Sequence, residues 1–163
     1  MERIAQFEKV SLSQFLEDWH EFSPETGSAE AEKIYESIQM PRRATKGSAG
    51  YDFRAPVAFE LAPGGEIRIP TGIRAKMDAG YVLMLFPRSS LGIKGLEITN
   101  TVGIIDADFK LPITAFLRNN GNNDIVLKHN DRFMQGIIVP YGIAGNDKPI
   151  SEKRTGGIGS TGR

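Results

Sequence analysis

The sequence predicts an all-β fold of the sandwich, barrel or jelly-roll type, with a helical extension at its N-terminus. From residue 41 onward the helical periodicity disappears, and Gly or Pro recurs about every eight to twelve residues between short apolar segments. This pattern is typical of sheets built from many short strands. The 163-residue chain is 40% hydrophobic, which is enough for one domain with a sizeable core.

The first 40 residues predict two helices. The first begins at the capping-box pair Ser11 and Gln14, and the second runs from about residue 28 to 39 and ends at Pro41. Each helix carries a narrow apolar stripe, so we expect both to dock on the main body, with partner binding as the less favoured alternative. The stripes consist of Leu12, Phe15, Leu16 and Trp19, and of Ala31, Ile34, Tyr35 and Ile38.

The β region divides into short strands separated by turn residues. The predicted strands are Glu66–Ile69, Tyr81–Phe86, Leu96–Thr99, Ile113–Leu117, Asp124–Leu127 and Gly136–Pro140. We therefore expect a helical extension (1–40), a β core (41–153) and a glycine-rich tail (154–163). The tail is too rich in Gly to build a core, and we expect it to be flexible when no ligand is bound.

Composition excludes several classes of function. Lys plus Arg and Asp plus Glu are each 20, and this zero net charge argues against a nucleic-acid partner. The absence of Cys excludes thiolate catalysis and Cys-ligated metals, and a total of two histidines, His20 and His129, argues against a multi-histidine metal site. With neither a secretory signal nor a membrane-spanning run visible, we expect a cytoplasmic protein that does not bind membranes.

Two segments contain groups that suit a phosphorylated ligand. In the segment 49–53, Gly50 precedes Asp52, and on its own this is a strand entry in which Gly50 permits an unusual backbone angle. In the segment 87–95, Arg88 is followed by Ser89 and Ser90, and a guanidinium with adjacent hydroxyls and turn amides suits phosphate. The alternative for the second segment is a helix turn with a surface Arg.

The segment 100–109 contains a candidate general base. A run of Val, Gly and Ile leads into Asp106, which places a carboxylate at the end of a buried β segment, where it can be held rigidly beside a substrate. Asn100 offers both a donor and an acceptor, which complements a pyrimidine edge. The alternative is a β-hairpin with an Asp-rich turn.

Two further segments are ambiguous when taken alone. Gln135 interrupts an apolar strand, and a buried amide must be paired, so it is either structural or faces a ligand. The tail 154–162 exposes backbone amides and hydroxyls in a composition that suits phosphate, but it lacks the Lys-Ser/Thr ending of a P-loop.

In order and spacing, these five segments resemble the five motifs of the homotrimeric dUTPase (dUTP diphosphatase) family, over about residues 41–163. The resemblance implies a β jelly roll that assembles as a homotrimer with shared active sites. It implies hydrolysis of dUTP to dUMP and diphosphate, which lowers dUTP and supplies dUMP for thymidylate synthesis. It also implies Mg²⁺ bound through the substrate phosphates and water, with no metal ligand from the protein.

The resemblance further implies a role for each motif residue. Asp106 would hold the water that attacks the α-phosphorus, Phe109 would pack against the deoxyribose, and Asp52 would support the site. The pyrimidine would be recognised by Asn100 and by the backbone at Gly103 and Ile105. The phosphates and the closing tail would involve Arg88, Ser89, Ser90, Gln135, Arg154, Gly157, Ile158, Ser160 and Thr161.

Three departures from the family pattern concern uracil recognition. Phe109 replaces the usual Tyr, and Ile158 replaces an aromatic residue. Residues 110–113 lack the usual Gly, so the hairpin that encloses uracil is expected to be shortened or rearranged. Two alternative functions stay open: a non-catalytic regulatory or binding homologue, and an enzyme like dCTP deaminase. The second is disfavoured because residues 112–117 contain no carboxylate.

Overall fold

A computed structural model describes residues 2–149 of the chain. Within that range no helix is long and apolar enough to cross a membrane. The helices are α1 (Leu12–Phe22), α2 (Ser28–Ser37) and α3 (Ser89–Gly92). The strands are β1 (Ala5–Lys9), β2 (Arg42–Arg43), β3 (Tyr51–Arg54), β4 (Phe59–Leu61), β5 (Glu66–Pro70), β6 (Ile73–Met77), β7 (Tyr81–Pro87), β8 (Leu96–Ile98), β9 (Gly103–Asp106), β10 (Thr114–Asn119), β11 (Ile125–Leu127) and β12 (Arg132–Pro140).

The strands form two main antiparallel sheets and two smaller pairs. The larger sheet has the order β2-β3-β12-β7-β9, the second has the order β5-β10-β8, and the pairs are β1-β6 and β11-β4. Alternate side chains of these strands point into one core, whose fully buried members include Phe53, Leu83, Leu117, Phe133 and Met134. The predicted all-β fold with helices near its N-terminus is therefore confirmed.

The first 40 residues are not wholly helical, which corrects the prediction for this segment. β1 pairs along its whole length with β6, and Phe7 packs against Tyr51 and Phe53 with ring centroids 5.2 and 5.6 Å apart. β1 alternates apolar and polar residues over only four positions, from Ala5 to Glu8, and its partner lies about seventy residues further along the chain, so local patterns are too short to reveal it. This strand fastens the extension to the core beside β3.

A charged cluster reinforces the pairing of β1 with β6. The carboxylate of Glu8 lies 2.9 Å from the Lys76 ammonium and 3.0 Å from the Arg74 guanidinium, directly across the strand pair. The hydrogen bond from Lys76, with a second from Arg74, holds the pKa of Glu8 below its ordinary value. Glu8 therefore stays ionised and paired at neutral pH.

The two helices dock on the β body as expected. Ser11 caps α1 by accepting the Gln14 backbone N–H at 3.2 Å, while the Gln14 side chain donates to Asp18 instead of returning to Ser11, so only half of the capping box forms. α2 ends at Ser37, two residues before the predicted end. The apolar stripes meet in a second core cluster built on Val10, Phe15, Trp19 and Ala31.

Gly72 lies where the N-terminal extension packs closely against the β core. We predict that Gly72→Ala is strongly destabilising. Gly72 has φ +68°, and an added Cβ would touch Ile38 Cδ1 and lie 3.0 Å from a Phe15 ring carbon. The combined strain and crowding should lower the free energy of unfolding by about 2–5 kcal/mol. Urea denaturation of the parent and the variant measures this difference.

Gly64→Ala is the matched control for Gly72→Ala. Gly64 has φ +78° but nothing within 4 Å of an added Cβ, so only the backbone strain of about 1–2 kcal/mol applies. If both variants lost the same free energy of unfolding, the contacts of an added Cβ with the helical extension at Gly72 would not contribute to the effect.

Candidate active site

A buried carboxylate joins three of the predicted motifs. Asp52 in β3 is 8% exposed, and its two oxygens lie 3.3 Å from Arg88 Nε and 3.2 Å from Arg132 Nη1. Two guanidiniums compensate the desolvation of one carboxylate, so the pair of arginines is held in place beside it. Sequence reasoning assigned Asp52 its supporting place, but it missed Arg132 as a partner because nothing local links two residues 80 positions apart.

Gln135 lies beside Asp52 on the same sheet face. It is opposite Asp52 in β3 and Phe86 in β7, is half-buried, and donates from Nε2 to the Pro87 carbonyl at 3.4 Å. An added Cβ on Gly50 would lie only 2.5 Å from Gln135 Oε1. Gly50 has no positive φ, so the expected unusual backbone angle is wrong, and the absence of a Cβ there instead leaves room for the Gln135 side-chain amide.

The segment after β7 presents the predicted phosphate-binding groups at this end of the sheet. The Arg88 backbone N–H donates to the Phe133 carbonyl at 3.1 Å. Arg88 occupies the N-cap position of the short helix α3, without a capping bond from its side chain. Ser89 and Ser90, the first two residues of α3, are exposed. Asp52, Arg88, Ser89, Ser90 and Gln135 therefore form one polar group, which we call the phosphate end.

The remaining predicted residues line a cavity of about 310 Å³ between the sheets. Asn100, Gly103, Ile105 and Phe109, the residues for which contacts with the pyrimidine and deoxyribose were predicted, all contribute to its wall. Phe109 is only 6% exposed, and an added Cβ on Gly103 would lie 3.0 Å from Leu85 Cβ, so the wall is tightly packed. The other lining residues are Leu85, Ile98, Thr99, Ile104, Pro112, Ile113, Thr114, Ala115, Phe116 and Met134.

Asp106 is the last residue of β9, is exposed, and directly follows the cavity residue Ile105 in the chain. Burial alternates along β9, so Gly103 and Ile105 face the core while Ile104 and Asp106 face outward. The Phe109 backbone N–H donates to the Asp106 carbonyl at 3.0 Å, which fixes the turn that follows the strand. The expected position of the carboxylate at the end of a β segment is therefore observed.

The hairpin with an Asp-rich turn, which was the alternative for this segment, is not formed, because β9 and β10 do not pair with each other. β9 pairs with β7, whereas β10 pairs with β5 and β8, so residues 107–113 cross from one sheet to the other. Pro112 supplies no N–H, and Ile113 bonds instead to Ile73 and Thr71. The crossing leaves the cavity open between the two sheets.

Within one chain, Asp106 and the phosphate end are far apart. Asp106 is opposite Val82 at the start of β7, whereas Arg88 follows Pro87 at its end, so six residues, or about 20 Å of extended chain, separate Asp106 from Arg88. The sheet face between them is apolar, because Ile104, Met84 and Ile137 are neighbours there. One chain thus brings the predicted residues together in two groups and not in one.

The tail residues predicted to bind substrate, Arg154, Gly157, Ile158, Ser160 and Thr161, lie outside the described residues. Among residues 2–149, no three His, Asp or Glu side chains are placed to hold a metal ion. The strand that carries a carboxylate in the deaminase alternative corresponds to β10, whose sequence Thr114–Asn119 has none.

Comparison with known proteins identifies the family of this chain. A family model described as dUTPase matches residues 36–162. The deoxyuridine 5'-triphosphate nucleotidohydrolase of Lactococcus lactis subsp. lactis is 40% identical over 133 residues, covering 77% of this chain and 89% of that protein. The protein of the same name from Dictyoglomus turgidum is 36% identical over 140 residues, covering 80% and 95%.

Solved structures agree with these matches. The crystal structure of dUTPase from Streptococcus mutans has a TM-score of 0.61 and 30% identity, covering 86% of this chain and 98% of that one. The dUTPase from phage phi11 of S. aureus shares the fold, with a TM-score of 0.66 at 19% identity over 91% of this chain and 97% of that one. With its family model, relatives and fold in agreement, the chain belongs to the dUTPase family.

Proposed function

We propose that this protein hydrolyses dUTP to dUMP and diphosphate. The observation that carries the proposal is the 310 Å³ cavity, in which Asn100 and Phe109 line the wall, while Asp106 follows the lining residue Ile105 at the end of β9. A cavity of this size accommodates a pyrimidine with part of its sugar. The relatives at about 40% identity bear the name of the same activity.

The proposed chemistry is an attack of water on the α-phosphorus. Asp106 accepts a proton from the water while the oxygen of that water forms a bond to the α-phosphorus. The bond between the α-phosphorus and the α–β bridging oxygen breaks, so that diphosphate leaves. Arg88, Ser89 and Ser90 stabilise the charge of the phosphates. The Asp52 carboxylate holds Arg88 in place for this task, since it binds Arg88 Nε at 3.3 Å.

Recognition of the base is assigned to the cavity wall. Asn100 and the backbone at Gly103 and Ile105 face a pyrimidine edge, and Phe109 supports the deoxyribose. Because Phe109 is almost fully buried, a 2′-hydroxyl would lie against a packed ring. We therefore expect dUTP to be preferred over UTP.

We propose that Mg²⁺ reaches the site with the triphosphate. Mg²⁺ keeps several waters and binds substrate phosphates more readily than all-protein cages. The phosphate end fits this arrangement, because Arg88, Ser89 and Ser90 bind phosphate oxygens and leave others to the ion. When bound, the ion neutralises charge on the phosphates. A cytoplasmic location stays a prediction.

We also propose that each active site is shared between copies of the chain in a homotrimer. Asp106 and the phosphate end lie at opposite ends of the apolar face formed by Ile104, Met84 and Ile137, and Ile104 is 51% exposed. A second copy packed on this face would cover the apolar side chains and bring its phosphate end to Asp106.

Mixing two inactive variants tests the shared site. Asp106→Asn and Arg88→Gln should each be nearly inactive. When equal amounts of the two variants are unfolded and refolded together, about one quarter of the shared sites should combine an intact Asp106 from one subunit with an intact Arg88 from another. The mixture should therefore recover about one quarter of the parental rate. Each variant refolded alone is the control. No recovery from the mixture would show that both residues act within one chain.

The function itself is tested by measuring diphosphate release from dUTP, dTTP, dCTP and UTP with Mg²⁺ present. We expect kcat/KM to be highest for dUTP, by about tenfold or more, because a mismatched base leaves buried polar groups unpaired. Ammonia released from dCTP would support the deaminase alternative. A folded chain that binds dUTP without releasing diphosphate would support the non-catalytic one.

A further inference from the structure

Thr101 adopts a backbone conformation that its side chain disfavours. Its φ is +64°, and Asn130 is the only other non-glycine residue within 2–149 with a positive φ. Asn tolerates this region, whereas a β-branched residue rarely enters it. Thr101 lies between β8 and β9, next to the cavity residue Asn100. Such outliers persist only where the surroundings enforce them, and they cluster at functional sites.

Three hydrogen bonds enforce this conformation. The Val102 N–H donates to the Asn100 carbonyl at 2.8 Å and closes a three-residue γ-turn centred on Thr101, a rare and strained turn when φ is positive. The Thr101 N–H donates to the Ile98 carbonyl at 2.8 Å, and the Thr101 hydroxyl donates to the Asn100 carbonyl at 2.6 Å. The Asn100 carbonyl is thereby tied to the turn by two donors.

The turn has no room to relax at its ends. β8 ends at Ile98, which is paired with Leu117, and β9 begins at Gly103, which is packed against Leu85. The chain must therefore reverse within the few residues between two fixed strands. The Asn100 side chain is exposed there at the cavity wall, with its amide available to a ligand.

We propose that Thr101 is a positioning residue for substrate recognition: its strained turn and its hydroxyl fix the Asn100 backbone so that the Asn100 amide faces the pyrimidine of the nucleotide. This inference rests on the proposed function. Because the strain is built into the free protein, no reorganisation is needed when the nucleotide binds. Thr101 itself does not touch the reacting atoms.

Steady-state kinetics with dUTP and dCTP test this role in the full chain. Thr101→Gly removes both the hydroxyl and the restriction on φ, so KM for dUTP should rise about tenfold with kcat within about twofold, and the preference for dUTP over dCTP should fall. Thr101→Ser keeps the hydroxyl bond and should retain most of the parental KM. Asn130→Gly relaxes the same φ away from the cavity and is the matched control.

The melting temperatures of all variants separate positioning from a structural role. If Thr101→Gly keeps the parental KM and dUTP preference, or loses kcat with KM unchanged, the proposal is overturned. If Asn130→Gly shifts KM as strongly, the effect is one of general stability and the proposal fails. The hydrolysis of dUTP by the parental chain tests the proposed function separately. The role of Thr101 is judged from the ratio of each kinetic constant in the variant to that in the parent.

Discussion

Replacing Asp106 with Asn is expected to lower kcat for dUTP hydrolysis by about 10²–10⁴-fold, the usual contribution of a positioned general base. Asn has the same shape but cannot accept the proton of the attacking water. Asp106 ends β9 with its side chain exposed, so the exchange should leave the pairing with β7 and the melting temperature nearly unchanged. Diphosphate release with saturating dUTP measures the loss.

Asp78→Asn is the matched control for this variant. Asp78 is also an exposed carboxylate, and it lies in the turn before β7, near the end of that strand where Asp106 is paired. The Asp78→Asn exchange removes the same charge from the same end of the sheet. We expect the activity of this variant to be within about twofold of the parent, the ordinary result for a surface exchange. An active Asp106→Asn enzyme would require another residue to serve as the base.

The order of the five motifs was enough to predict the fold and four of the residues that line the cavity. Asn100, Gly103, Ile105 and Phe109 belong to one short segment, so a motif match also places them close together in space. The strand β9 alternates in burial along its length, but its sequence Gly-Ile-Ile-Asp shows no alternation of polar and apolar residues, so the faces of this strand follow from the structure and not from a local pattern.

Other features depend on pairings that no local pattern contains. β1 was not predicted, and neither was the crossing between sheets after Asp106, because both depend on which distant strand offers a partner. The ion pair of Asp52 with Arg132 and the close approach of Gly50 to Gln135 likewise follow from the register of β3 against β12. Register is a tertiary property, set by the whole core.

The glycine-rich tail, residues 154–163, carries the second large expected effect. Its sequence offers Arg154, several glycine amides and the hydroxyls of Ser160 and Thr161, a combination suited to phosphate. We propose that these groups close over the triphosphate, which would exclude water from the reacting phosphorus and strengthen each charge interaction there. The phosphate end supplies Arg88, Ser89, Ser90 and Gln135, and a highly charged triphosphate gains from further donors.

Deleting residues 154–163 is therefore expected to reduce kcat/KM for dUTP by about 10²-fold or more, since loss of one positioned donor alone costs that much. Melting temperature and solution mass should stay close to those of the full chain, because the core clusters are built from residues between 7 and 138. Arg154→Ala in the full-length chain should reproduce part of the kinetic loss. Full activity without the tail would refute closure over the phosphates, and a loss of the assembly would show that the tail holds the subunits together instead.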